Sequence, residues 1–215
     1  AKMVYSGTLN VNLLSALRSH EVQGVGLSGV DADLLTARRR PPISVVDDAG
    51  KAREVDFGYV GDIDRVDPRI LTTLLETRFV PVVASLAGDG SGNVYNVNAD
   101  TVAESLAVAL KAQKLIFLTG APGVLRDRND PASLVTFADP DDLTALMTNG
   151  AIAGGMRPKV EACIRAATGG VERTHIIDGR LPDSILLEAF TGSGCGTMIV
   201  GRKEKATYLG VDLAT

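Results

Sequence analysis

Apolar positions along this chain follow two rhythms. Short continuous runs of apolar, often β-branched residues at 24–29, 79–85, 115–120 and 175–179 each lead into a glycine or a polar loop. They predict strands covered on both faces, because a strand buried on one face would alternate. Between them, residues 9–18, 67–78, 100–113, 139–149, 156–167 and 183–190 repeat apolar side chains at three- and four-residue spacing, which predicts helices. The alternation predicts an α/β protein, a three-layer αβα sandwich around a mostly parallel central sheet.

Local signals sharpen several boundaries. Asp67-Pro68 and Asp139-Pro140 each place a capping carboxylate before a proline at a first helical position, and Gly150 follows the second of these helices. Met156, Val160, Cys163, Ile164 and Ala167 form one stripe, so Met156 and Cys163 are assigned to packing. One region breaks the pattern: residues 43–46 and 54–61, around a polar turn at 47–50, predict a β-hairpin. Such an insertion serves as a lid, a subunit contact or an edge extension. Residues 201–215 are polar and irregular.

At 215 residues and 45% hydrophobic, the chain buries a proper core as one large domain or two small lobes. No apolar run reaches membrane-spanning length and the opening residues lack the layout of a secretory signal, so a cytoplasmic protein without membrane partners is expected. A net charge of -4 and only 4% aromatic residues argue against broad nucleic-acid binding. The one basic run, Arg38-Arg39-Arg40, reads as a solvated strand end, or else as a patch for an anionic ligand. Two cysteines without zinc or redox spacing, and two histidines, predict no metal centre and reduced thiols.

Chemistry concentrates in two segments. Gly154-Gly155-Met156-Arg157-Pro158-Lys159 opens a helix. Its glycines allow close backbone approach, first-turn N–H groups point at whatever binds, and Lys159 adds a full positive charge. The plain alternative is a flexible helix entrance with a solvated lysine. In the second segment, Asn96-Val97-Asn98-Ala99-Asp100, three short polar side chains meet at a helix start. Capping needs one of them, which leaves the others for a polar substrate or for orienting a lysine.

These segments carry a resemblance to the acetylglutamate kinases of the amino acid kinase family. Residues 96–100 resemble the family's substrate-side motif, and residues 154–160 its Gly-Gly-Met-x-Pro-Lys-Val segment. Gly169-Gly170-Val171, His175-Ile176-Ile177-Asp178-Gly179-Arg180, Leu186-Leu187-Glu188 and Gly194-Cys195-Gly196-Thr197-Met198-Ile199 continue in register. The resemblance implies an amino acid kinase-like fold, with residues 1–112 as the remainder of the amino-acid-substrate lobe and 113–215 as the nucleotide-binding lobe.

The implied activity is phosphoryl transfer from ATP, with magnesium, to the side-chain carboxylate of N-acetyl-L-glutamate in arginine biosynthesis, by a homodimer or higher homo-oligomer. Lys159 matches the lysine that stabilises the transferring phosphoryl group, Asp100 the aspartate that orients the lysines, and Asn96 the substrate asparagine, with Asn98 beside it. Gly120, Ala121, Pro122, Gly123, Val124 and Leu125, with Ala151, Ile152, Ala153, Gly154 and Gly155, match the nucleotide loops. Gly120 stands where the family usually has aspartate. His175, Glu188, Gly194 and Arg126 match positions of an arginine effector site, with Glu188 suited to a guanidinium; the plain readings are a packed histidine and a surface carboxylate. Residues 1–20 resemble the helix that packs across the family's dimer axis, and the family's first strand, second lysine and glycine loops have no counterpart in this sequence. A kinase of carrier-bound α-aminoadipate in lysine biosynthesis and a non-catalytic ligand-binding module are the alternatives.

Overall fold

The computed structural model describes residues 1–46, 50–191, 194–201 and 205. The chain divides into two compact units, residues 1–102 and 103–215. In the first, a π-helical segment, Met3–Leu9, runs into α1 (Asn10–Ser19). Then come β1 (Gly24–Ser28), β2 (Leu35–Arg39), β3 (Ile43–Val46), β4 (Ala52–Val55), β5 (Gly61–Val66), α2 (Arg69–Glu76), β6 (Val80–Ala84), β7 (Leu86–Gly88), β8 (Val94–Asn96) and the start of α3 (Ala99–Ala109). The backbone is helical well before residue 9, where the apolar rhythm begins. No residue of Met3–Leu9 is buried, so that segment carries no inward stripe to detect.

Strands β1 and β6 pair in parallel, Gly24 opposite Val80 through Ser28 opposite Ala84. Buried Asn10 ties α1 to this pair by donating its Nδ2 to the Val82 carbonyl at 2.9 Å. A second sheet has the order β5-β2-β7-β8, with β2 antiparallel to β5. Here the basic run is neutralised: Arg38 meets Asp64 at 2.5 Å, Arg39 meets Asp56 at 2.7 Å and Arg40 meets Asp62 at 2.5 Å. Each guanidinium thus has a carboxylate partner, in keeping with the strand-end reading of this run.

The hairpin is present as β3–β4, with Ile43 opposite Val55 and Val46 opposite Ala52; turn residues 47–49 lie outside the described residues. Its second arm is shorter than the sequence rhythm implies. Asp56 turns the chain by accepting from the Gly58 N–H at 2.8 Å, and the run from Gly61 joins β2 instead. Ahead of α2, Asp67 Oδ1 accepts from the Arg69 N–H at 3.2 Å across Pro68, as the capping reading expects, and the carboxylate also pairs with the Arg69 guanidinium at 2.7 Å; together these hold its carboxyl at about 2.

The second unit comprises the rest of α3, β9 (Lys114–Thr119), β10 (Phe137–Ala138), α4 (Pro140–Thr148), α5 (Met156–Thr168), β11 (Arg173–Asp178), α6 (Ser184–Phe190) and β12 (Thr197–Val200). Its sheet order is β10-β12-β11-β9. Strand β9 is parallel to β11 and β10 to β12, whereas β12 runs antiparallel to β11. The fold is α/β with parallel strand pairs in both units. Burial on both faces holds best for β11, where residues 174–177 are buried, while β1, β6 and β9 remain partly exposed.

Helix α4 begins as the sequence predicts. Asp139 accepts from the Asp142 N–H at 2.8 Å, Asp142 accepts from the Asp139 N–H at 3.1 Å, and Pro140 fills the first position. Lys205 joins this cap at 2.9 Å from Asp139 and 2.5 Å from Asp142. Helix α5 buries Val160, Ala162 and Cys163 against Phe117, Leu143, Ile176 and Ile199, with Met156 and Ile164 partly buried beside them, and Ala166 against Ala107 and Val171. Both cysteines are free thiols. Among the described residues no helix is long and apolar enough to cross a membrane. Of the irregular tail, only Gly201 and Lys205 fall within the described residues.

Candidate functional site

A cavity of about 380 Å³ opens in the second unit at the carboxyl end of β9. The loop after β9 forms one wall. The Thr119 hydroxyl donates to the Ala121 carbonyl at 2.8 Å and accepts from the Ala121 N–H at 3.0 Å, so the chain turns within two residues of the strand end. Gly123 then adopts φ +149° where a Cβ would sit 2.6 Å from Thr197 Oγ1. No larger residue fits there without displacing that hydroxyl. The hydroxyl itself accepts from the Val124 N–H at 2.8 Å, which leaves Val124 fully buried.

The loop before α5 forms the opposite wall. Asn149 Oδ1 accepts from the Ala151 N–H at 3.0 Å, and the Ile152 N–H donates to the Leu146 carbonyl at 3.1 Å, which drives Ile152 into the core. Gly154 at φ +57° reverses the chain into α5. The N-cap of that helix, Gly155, makes no side-chain cap bond, and Gly155, Met156 and Lys159 from this helix entrance line the cavity. Pro158 falls in the first turn, where its missing N–H costs nothing. Lys159 follows, half-buried, on the cavity wall.

The cavity brings together Gly120, Ala121, residues 123–125, residues 151–153, Gly155 and Lys159; Pro122 and Gly154 are not part of the lining. Three lining residues are not assigned to the site by sequence: Thr119, at the end of a strand run, Met156, assigned to packing, and Arg128. Met156 thus packs on the core and faces the cavity at once. Among the described residues, Arg128 and Lys159 supply the only charges on the lining, and none of the lining residues is a carboxylate. Among the described residues, no cluster of three or more His, Cys, Asp or Glu has the arrangement of a metal site. Such a cavity suits a ligand with an anionic end and a compact, largely apolar remainder.

In the first unit, Asn96 closes β8 and Asn98 starts α3. Asn98 is the cap: its Oδ1 accepts from the Asp100 N–H at 2.9 Å and the Thr101 N–H at 3.1 Å. Asp100, half-buried in the first turn of α3, sits where the helix's positive end favours a carboxylate. Asn96 differs from both. Its Oδ1 is buried with no hydrogen-bond partner among the described residues. An orphaned polar atom of that kind costs about 1–3 kcal/mol and marks a place where a donor is missing.

The four effector candidates fall into two groups. His175 Nδ1 lies 2.7 Å from Glu188 Oε1, and Glu188 Oε2 accepts from the Cys195 N–H at 2.7 Å and the Gly196 N–H at 3.1 Å. Gly194 packs directly against this carboxylate. The surface-carboxylate reading of Glu188 is corrected: it is 7% exposed and clamps the loop before β12. Burial pushes the His175 imidazole below its ordinary value, with Glu188 opposing. Burial alone would raise Glu188, but the Cys195 and Gly196 amides and His175 hold it below the ordinary range. Neutral His175 therefore donates from Nδ1, leaving Nε2 buried and unpartnered among the described residues. Arg126 is exposed and does not line the cavity.

In this α/β unit the strand-end loop, the helix start and a half-buried lysine enclose one cavity, an arrangement suited to an anionic small molecule. The chain belongs to the amino acid kinase family, whose profile matches residues 1–178. It is 50% identical over 201 residues to the acetylglutamate kinase of Myxococcus xanthus, covering 93% of this chain and 65% of that protein. It thus spans about two thirds of the length of this curated relative. Among solved structures, N-acetylglutamate synthase from Neisseria gonorrhoeae complexed with coenzyme A and N-acetyl-glutamate superposes with TM-score 0.75 at 28% identity, over 91% of this chain and 42% of that one. Carbamate kinase from Giardia lamblia bound to AMP-PNP shares the fold, with TM-score 0.60 at 15% identity over 91% of this chain and 72% of its own.

Proposed function

We propose that the protein transfers the γ-phosphoryl group of ATP to the side-chain carboxylate of N-acetyl-L-glutamate. The observation that carries the reading is the convergence of the two small-residue loops and Lys159 on one cavity with positive lining charge. Identity of 50% to a protein named acetylglutamate kinase supports the choice of acceptor, as does the neighbouring structure that holds N-acetyl-glutamate.

The chemistry asks little of a base. A carboxylate oxygen of the acceptor is already deprotonated; it bonds to the γ-phosphorus as the bond to the β,γ-bridging oxygen breaks, and ADP leaves with that electron pair. What the reaction needs is neutralisation and alignment of two anions. Lys159 and the first turn of α5 are assigned to the phosphoryl group, and residues 120–125 and 151–155 to the nucleotide. Asn96, Asn98 and Asp100 are assigned to the acceptor side on the motif match. Magnesium enters this reading with the nucleotide, because no lining residue carries a carboxylate. The reading extends to a cytoplasmic homo-oligomer acting in arginine biosynthesis.

The test is an assay of the protein with ATP, magnesium and N-acetyl-L-glutamate, trapping the acyl phosphate as its hydroxamate. Hydroxamate that requires both substrates is expected. Product formed only from a carrier-bound α-aminoadipate, or nucleotide binding without turnover, would replace this acceptor or remove the catalytic reading.

A further inference from the structure

Arg128 has no place in the motifs that align with the nucleotide loops, yet it lines the cavity with Lys159. The loop that carries it is closed on itself. At its base the Val135 N–H donates to the Val124 carbonyl at 2.9 Å and the Arg126 N–H to the Ser133 carbonyl at 3.1 Å. Further out, the Asp127 N–H donates to Ser133 Oγ at 3.0 Å, that hydroxyl donates to the Asp130 carbonyl at 2.6 Å, and Asp127 Oδ1 accepts from the Asn129 N–H at 2.9 Å. Arg128 stands at this Asp127 turn, so its backbone is held, while the residue itself is exposed and borders the cavity. Arg126, two residues earlier on the same loop, is not on the lining.

The charge inventory then decides what Arg128 meets. Every other lining residue except Lys159 is uncharged, so a guanidinium on this wall finds no counter-charge from the cavity itself. A ligand that fills the cavity touches both cations. A planar guanidinium with paired N–H donors matches two oxygens of a phosphate, whereas a lysine acts as a point charge. We infer that Arg128 is a second cationic contact to the phosphate chain of the bound nucleotide, gripping it from the 126–133 loop while Lys159 holds it from α5. This rests on the nucleotide reading of the cavity.

Calorimetric titration of the protein with ATP, ADP, AMP and adenosine tests it, in the wild type and in Arg128→Ala and Arg128→Lys, each checked for native circular dichroism. Arg128→Ala is expected to weaken ATP and ADP by about tenfold or more, AMP by less, and adenosine by less than about twofold. Arg128→Lys recovers part of the loss. An equal loss for adenosine and ATP would place the guanidinium on the nucleoside and overturn the inference. Unchanged ATP affinity in Arg128→Ala would also overturn it while leaving the nucleotide reading intact. A wild type that binds none of the four ligands would sink both.

Discussion

At the scale of single residues, the proposed function gives Lys159 and the His175–Glu188 pair opposite work. A lysine about 4 Å from a phosphoryl oxygen contributes roughly 4 kcal/mol at an effective dielectric of about 20, before desolvation is subtracted. Lys159→Ala is therefore expected to lower turnover by about a hundredfold or more, with a shift in Tm of no more than a few degrees. Turnover within a factor of about two of wild type would remove Lys159 from the chemistry. The buried pair governs stability instead. Because folded His175 titrates below its unfolded value, the unfolded chain takes up that proton first, and stability falls as pH drops below about 6.5. Glu188 is also depressed, so the stability it contributes is present above its unfolded value of 4.5 and is lost as pH falls further. Tm measured from about pH 7.5 down to about pH 2.5 should decline in two phases, and Glu188→Gln should abolish the lower one while retaining the upper. A flat Tm between pH 7 and 5 would contradict the assignment.

Elements with strong local signals were legible in advance. Helix α4 declared itself through Asp139, Pro140 and Gly150, and α5 through its glycine entrance and the spacing of Val160 and Cys163. The α4 cap also yields a measurable cost. Asp139→Ala should destabilise by about 1–2 kcal/mol in urea unfolding, since it removes the cap and one carboxylate from Lys205. An effect below about 0.3 kcal/mol would mean that Asp142 or solvent replaces it. Less legible were β2 and β5. Their aspartates and arginines look like solvated surface until the antiparallel register sets Arg38 beside Asp64 and Arg40 beside Asp62. The cavity shows the same division. Its glycine loops announce themselves by composition, whereas Arg128 reaches it only because Asp127, Asp130 and Ser133 fold their own loop, a long chain of weak local bonds that no motif records.

At the scale of the whole molecule, the amino-terminal helix is the most exposed apolar surface to explain. Met3, Val4, Leu9, Val11 and Leu13 are each at least 50% exposed. Burial of such a stripe against a second copy is expected from the likeness of residues 1–20 to a dimer-axis helix. Sedimentation should give an oligomer, and Val11→Glu with Leu13→Glu should shift it to monomer; a wild type that sediments as a monomer at micromolar concentration would refute this. The sheet of the second unit adds a constraint of a different kind. Its last strand, β12, lies between β10 and β11, and Thr197 at its start supplies the hydroxyl that shapes the Gly123–Val124 corner. A ribosome making this protein releases every other part of the cavity before it releases that strand. A message broken just upstream of the Thr197 codon therefore yields the loops and Lys159 without the strand that shapes the Gly123–Val124 corner.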